Sequence, residues 1–181
     1  MNALLAATPA RAPGSAAPPF DDAAAWAALA AVLDPEVPVL SVLELGIVRS
    51  VVVAGRAVHV VVTPTYSGCP ATEVIQDAIR GALFDAGADS VDIELQFAPT
   101  WTTDWISPQA AEKLRRYGIA PPCGTAASAD AQPLHFHPRA LACPRCGSTR
   151  TERLSAFGST ACKALYRCRA CREPFEYFKP I

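Results

Sequence analysis

Histidine is scarce here: the 181 residues include three, and no Glu-x-x-His pair occurs. An oxygen-activating centre built from carboxylates and imidazoles needs such ligands, so the chain does not bring one of its own. No apolar run approaches the roughly 18–20 residues of a bilayer span. The first residues, Met1 to Ala7, lack a basic segment, and their apolar stretch is too short for a secretory leader. The seven cysteines are an odd set, and four of them stand in Cys-x-x-Cys pairs. That argues against a secreted disulfide framework and for metal binding in a reducing compartment. A cytoplasmic protein without membrane contact is expected.

What is present can build a core, with 51% hydrophobic and 18% charged residues. The net charge of −1 hides an asymmetry. Residues 1–138 carry 7 basic and 14 acidic side chains, residues 139–181 carry 9 and 3. An acidic body and a basic tail imply surfaces with different partners. Composition divides the chain into an Ala/Pro-rich disordered arm (1–19), an α+β domain (20–122), a linker (123–138) and a small metal-clasped tail (139–181).

Within the body, Asp21 and Asp22 open a helix through Leu33, with Trp26, Leu29, Ala30 and Leu33 as its inward face. Asp34-Pro35-Glu36-Val37-Pro38 is a rigid acidic turn whose carboxylates either cap the next element or assist a metal or proton. Strands over Ile47–Val53 and Ala57–Val62 flank the hairpin signal Ala54-Gly55-Arg56, with His59 on the solvent side. A helix stripe at Ala71, Val74, Ile75, Ala78, Ile79, Ala82 and Leu83 follows, closed by Gly87. Val91, Ile93, Leu95 and Phe97 then alternate with polar residues in a third strand. The predicted body is a small three-stranded sheet with helices on one face.

Trp101-Thr-Thr-Asp-Trp105 either covers the sheet or anchors an interface. Ser107 and Pro108 start a short helix that directs Ala111, Leu114 and Tyr117 inward and ends at Gly118. Cys123, His135 and His137 fall in the linker and carry no assigned role.

The chain is organised around Thr63-Pro-Thr-Tyr-Ser-Gly-Cys69-Pro70, between the second strand and the long helix. Pro70 suits a first helical position, which makes Cys69 the expected N-cap. Its sulfur would then lie beside unpaired N–H groups that favour the thiolate, the form that attacks electrophiles and binds metal. The competing reading is a small buried Cys that fills the corner.

In the tail, Cys143-x-x-Cys146 and Cys168-x-x-Cys171 are separated by 21 residues. Two such knuckles bring four thiolates around one tetrahedral zinc, with iron or a cluster as the less favoured occupant. Some forty residues cannot make an adequate core alone, so the metal would stabilise the fold. Cys162 is a further thiol, either packed under the ribbon or reactive beside Lys163. The tail's Arg and Lys residues, interleaved with aromatics, suit nucleic acid, an acidic protein surface, or plain solvent.

Asp34-Pro-Glu-Val-Pro-Val-Leu40, Leu45-Gly-Ile-Val48 and the Cys69 motif resemble the assembly domain of SufT-type iron–sulfur maturation proteins over about residues 22–120. The Thr-Tyr-Ser-Gly-Cys-Pro-Ala form, the Trp101–Trp105 block and Phe157-Gly-Ser-Thr-Ala-Cys162-Lys163 together resemble the PaaD (PaaJ) family. That family supplies accessory components of the bacterial multicomponent phenylacetyl-CoA epoxidase. The resemblance implies a role in phenylacetate catabolism, equipping a system whose oxygenase holds a di-iron site and whose reductase holds an iron–sulfur cluster. It places the reactive thiol or transient ligand at Cys69 and the zinc ligands at Cys143, Cys146, Cys168 and Cys171. It implies epoxidase subunits as partners and Zn2+ as cofactor, with iron or an iron–sulfur cluster held transiently. One thiol cannot hold a cluster, so a second copy in a homodimer, a client or a small thiol would complete the ligand set. The chain departs from the family at Phe178-Lys179-Pro180, where relatives carry another Cys. A nucleic-acid-binding ribbon and a purely structural epoxidase subunit are the alternative readings.

Overall fold

The computed structural model describes residues 20–66, 68–123 and 141–181, so the expected arm and nearly all of the linker, with His135 and His137, lie outside the described residues. Asp21 caps α1 (Asp22–Ala30) by accepting the Ala24 N–H at 2.9 Å. Ala25 and Leu29 face inward, whereas Trp26 is 40% and Leu33 51% exposed. The expected face and end of this helix are thus corrected. An Ala-rich helix has no strongly apolar side to fix its rotation, and packing of the small Ala25 decides it.

β1 (Val48–Ala54) and β2 (Ala57–Val62) form the expected antiparallel hairpin. Val58, Val60 and Val62 are buried, and His59 points to the other face, against Asp92 and Glu94 of the neighbouring strand. α2 (Thr72–Ala86) crosses back so that β3 (Ser90–Leu95) pairs parallel with β2. Ile75, Ile79 and Leu83 of α2 are buried, and Gly87 ends the helix at φ 116°. α3 (Pro108–Tyr117), capped by the Ser107 side chain, buries Ala110 and Leu114. Tyr117 is 56% exposed, not inward as expected.

A second sheet has the order β4-β7-β6-β5, from β4 (Ile119–Ala120), β5 (Thr151–Ser155), β6 (Lys163–Cys168) and β7 (Pro174–Phe178). β4, which directly follows α3, pairs parallel with β7. The metal-ribbon tail is therefore hydrogen-bonded into the body. Cys162 and Phe178 join the same buried cluster as the first sheet's core. Among the described residues no helix is long and apolar enough to cross a membrane.

Candidate metal and thiol site

Cys69 sits in a turn, not at a helix cap. Its N–H donates to the Tyr66 carbonyl at 3.2 Å, and its own carbonyl accepts the Thr72 N–H and hydroxyl. The N-cap of α2 is Ala71, two residues later, without a side-chain cap. The expected N-cap position is thereby corrected: Pro70 and Ala71 form one more turn before regular helix begins.

The thiol is half-buried on a narrow cleft between the two sheets. The cleft offers about 20 Å3 to the centre of a water-sized group, room for a water or a single ion. Val62, Ile75 and Phe178 give it apolar walls, and Asp34, Glu36 and Cys162 also line it. Asp34 is buried and fastens its own turn, accepting the N–H groups of Glu36 at 2.8 Å and Val37 at 2.7 Å. The capping reading of this acidic turn therefore holds, while the turn also carries both carboxylates to the cleft. Burial pushes the Asp34 carboxyl up, against those two hydrogen bonds. Burial, then the Asp34 charge, pushes Glu36 up as well. Tyr66 is raised by burial and by the negative charge of Cys69, Glu36 and Cys162, and shares a hydrogen bond with Cys69.

Cys162 is 5% exposed, with its sulfur 3.1 Å from the Thr160 hydroxyl. Burial raises its pKa, outweighing the lowering by the Thr160 hydroxyl and the Lys163 charge. The buried Lys163 ammonium is directed elsewhere, to Glu176 Oε2 at 2.9 Å and the Glu36 carbonyl at 3.2 Å. Cys123 packs against the small core that contains Cys143 and Cys168, its N–H donating to the Tyr177 hydroxyl at 3.4 Å.

The four tail cysteines converge. Their sulfurs all lie within 4.8 Å of one another, with Cys143–Cys171 at 3.8 Å and Cys146–Cys168 at 3.6 Å. Ligands about 2.3 Å from a tetrahedral zinc stand about 3.8 Å apart, so this donor set fits the ion. The Cys171 N–H, chief among several donors, lowers the Cys168 thiol to about 6, toward the thiolate a metal requires. Around the ribbon, Arg167 and Arg169 pair with Glu152, and Lys179 lies over the Phe157 ring, so part of the basic surface is already engaged.

Residues 127–179 match the PaaD zinc beta ribbon domain, and residues 22–95 match the iron–sulfur cluster assembly protein domain. The chain is 53% identical over 156 residues to an Escherichia coli (strain K12) protein provisionally named as a component of 1,2-phenylacetyl-CoA epoxidase, covering 86% of this chain and 91% of that one. The chain belongs to the PaaD family. A Porphyromonas gingivalis Fe-S protein maturation auxiliary factor is 38% identical over 88 residues, 48% of this chain and 83% of that protein. A solved structure of a conserved hypothetical protein from Thermotoga maritima is 31% identical, covers 53% of this chain and 95% of its own, and has a TM-score of 0.47. PaaD membership accounts for the sequence combination of an assembly domain with a four-Cys ribbon. Sequence reasoning singled out Cys69, the four ribbon cysteines and Cys162 as a further thiol, but not that Glu36, Cys69 and Cys162 line one cleft. The local signals for it were the acidic turn at Asp34–Glu36 and the extra thiol Cys162.

Proposed function

We propose that this chain is an accessory factor that helps equip the subunits of a phenylacetyl-CoA epoxidase with iron or an iron–sulfur cluster. Cys69 is the transient ligand in this reading, and the ribbon docks the client. The observation that carries it is the position of the Cys69 sulfur: half-buried, on the wall of a narrow cleft, where a visiting ion can reach it. A thiolate there exchanges ligands with the client, and the metal moves without turnover of an organic substrate. The four-Cys group would hold zinc structurally, since closed coordination leaves no open position.

For docking, β5 is an edge strand of the second sheet among the described residues, with Leu154 49% and Phe157 63% exposed and Lys179 over the Phe157 ring. An apolar strip with basic neighbours suits an acidic protein surface. The test is paired. Epoxidase subunits should co-purify with the full chain and with Cys69→Ala, yet be metal-deficient in cells that carry only Cys69→Ala. Leu154→Asp with Phe157→Asp should abolish co-purification. Fully metallated, active epoxidase in Cys69→Ala cells would overturn the proposal.

A further inference from the structure

One side chain of the ribbon crosses to the body beside the Cys69 cleft. Lys163, at the start of β6, is buried, and its ammonium donates to the Glu36 main-chain carbonyl at 3.2 Å, across 127 positions of sequence. Its other partner is Glu176 Oε2 at 2.9 Å, and Glu176 Oε1 accepts the Ser159 N–H. A charged donor held away from water makes a stronger bond than a surface one, so the link to Glu36 is a firm one.

The turn it holds forms part of the cleft wall. Asp34, Glu36 and Val37 line the same cleft as Cys69, and Cys162 and Phe178 line it from the ribbon. Within the turn, the Asp34 carboxylate accepts the Glu36 and Val37 N–H groups. Glu36 is thus fastened at its N–H from inside the turn and at its carbonyl from the ribbon. The space left beside the thiol fits a water or a single ion, and a larger group needs more room. Burial raises the carboxyls of Asp34 and Glu36 and the thiol of Cys162, and the Lys163 charge acts against it at all three.

We propose that Lys163 is a positioning residue for Cys69: by holding the Glu36 carbonyl it keeps the acidic turn closed on the cleft, so that the ribbon sets how large a group reaches the thiol. This deepens the reading of Cys69 as a thiol open to a visiting ion and rests on it. A small ion enters with the turn in place. A bulkier group needs the turn to swing out, which breaks the Lys163 bond.

The test compares two neutral reagents of the same chemistry at Cys69, iodoacetamide and the bulkier N-phenyliodoacetamide. It uses the full chain, reduced and zinc-loaded, with adducts located by peptide mass. Both reagents attack through the thiolate, so the ratio of their rates cancels ionisation and reads access alone. Lys163→Met combined with Glu176→Gln removes the bond to Glu36. It should raise the bulky-to-small ratio about tenfold over wild type, the lower end of what a hydrogen bond from a charged donor is worth. Glu176→Gln alone keeps that bond and should retain the wild-type ratio, although urea unfolding should find it the less stable of the two variants. A ratio that follows stability instead, highest in Glu176→Gln, makes Lys163 merely structural and overturns the inference. A ratio equal in all three proteins overturns it too. Both results leave Cys69 reachable and the metal-handling reading intact, whereas a Cys69 inert to both reagents in wild type overturns the two together. Should the double variant fail to fold, wild type decides. Its N-phenyl adduct at Cys69 should leave Lys163 more open to acetic anhydride than the iodoacetamide adduct does, and equal acylation overturns the inference.

Discussion

The rings of Trp101 and Phe178 meet with centroids 6.2 Å apart, both side chains being 1% exposed. The indole N–H donates to the Leu45 carbonyl at 2.8 Å, so the contact ties the turn before β1 to the last strand of the ribbon. The body and the metal-clasped tail share this contact, and the cleft containing Cys69 and Cys162 has Leu45 and Phe178 among its walls.

Replacing Trp101 should therefore damage both parts at once. Trp101→Ala is expected to cost about 3–5 kcal/mol of stability, the range for a large buried aromatic. Trp105→Ala should cost less, because that ring is half-buried and stacks on the Arg49 guanidinium 3.6 Å away. Urea unfolding of the two variants gives the comparison.

The buried Lys163 makes Glu176 indispensable. Glu176→Gln leaves the ammonium only the Glu36 carbonyl, without a charged partner, and should destabilise by about 3 kcal/mol. Lys163→Met combined with Glu176→Gln should recover most of that loss, which a double-mutant cycle would read. Gly158→Ala should destabilise less than Glu176→Gln, since a Cβ there would stand 2.6 Å from Glu176 Oε1, the flexible end of a side chain that can shift and still carry the charge facing Lys163.

Asp34 offers a pH signature. Its carboxyl is raised by burial, so the folded chain holds that proton more tightly than the unfolded chain, whose value is near 3.8. Its contribution is full below the unfolded value and is lost as pH rises through the raised folded one. Asp34→Asn cannot titrate and can still accept the two N–H groups. Wild type should thus lose stability relative to Asp34→Asn as pH rises through that interval. A stability difference that stays constant with pH would contradict this. Asp34→Ala should cost about 1–3 kcal/mol at low pH, with both N–H groups left unpaired, and less as pH rises through the same interval.

Removal of the metal should reach beyond the tail. Structural zinc contributes on the order of 10–16 kcal/mol of apparent binding energy in small domains. Because β4 pairs with β7 and Phe178 lies in the main core, a chelator under reducing conditions should lower the melting temperature of the whole chain. Calorimetry with and without chelator would detect it; an unchanged body transition would contradict it.

What the sequence disclosed was mostly local. The hairpin at Gly55, the caps at Ser107, Gly87 and Gly118, and the Cys-x-x-Cys knuckles each follow from a few adjacent residues. Trp101 was recognisable as unusual, but its partner Phe178 lies 77 positions away, and no periodicity encodes that pairing. That Glu36, Cys69 and Cys162 line one cleft was hidden for the same reason. The displaced start of α2 shows a different limit. Pro70 is compatible with a first helical position, but the Thr72 hydroxyl and N–H, by closing on the Cys69 carbonyl, hold an extra turn ahead of it.

The central claim is that Cys69 hands metal to a client. Its most direct test is anaerobic transfer of radioactive iron from the loaded chain to metal-free epoxidase subunits, followed after separation of the proteins. Label should pass to the client from wild type, faster than from free iron, and this advantage should vanish with Cys69→Ala. Equal transfer from wild type and Cys69→Ala would contradict the claim.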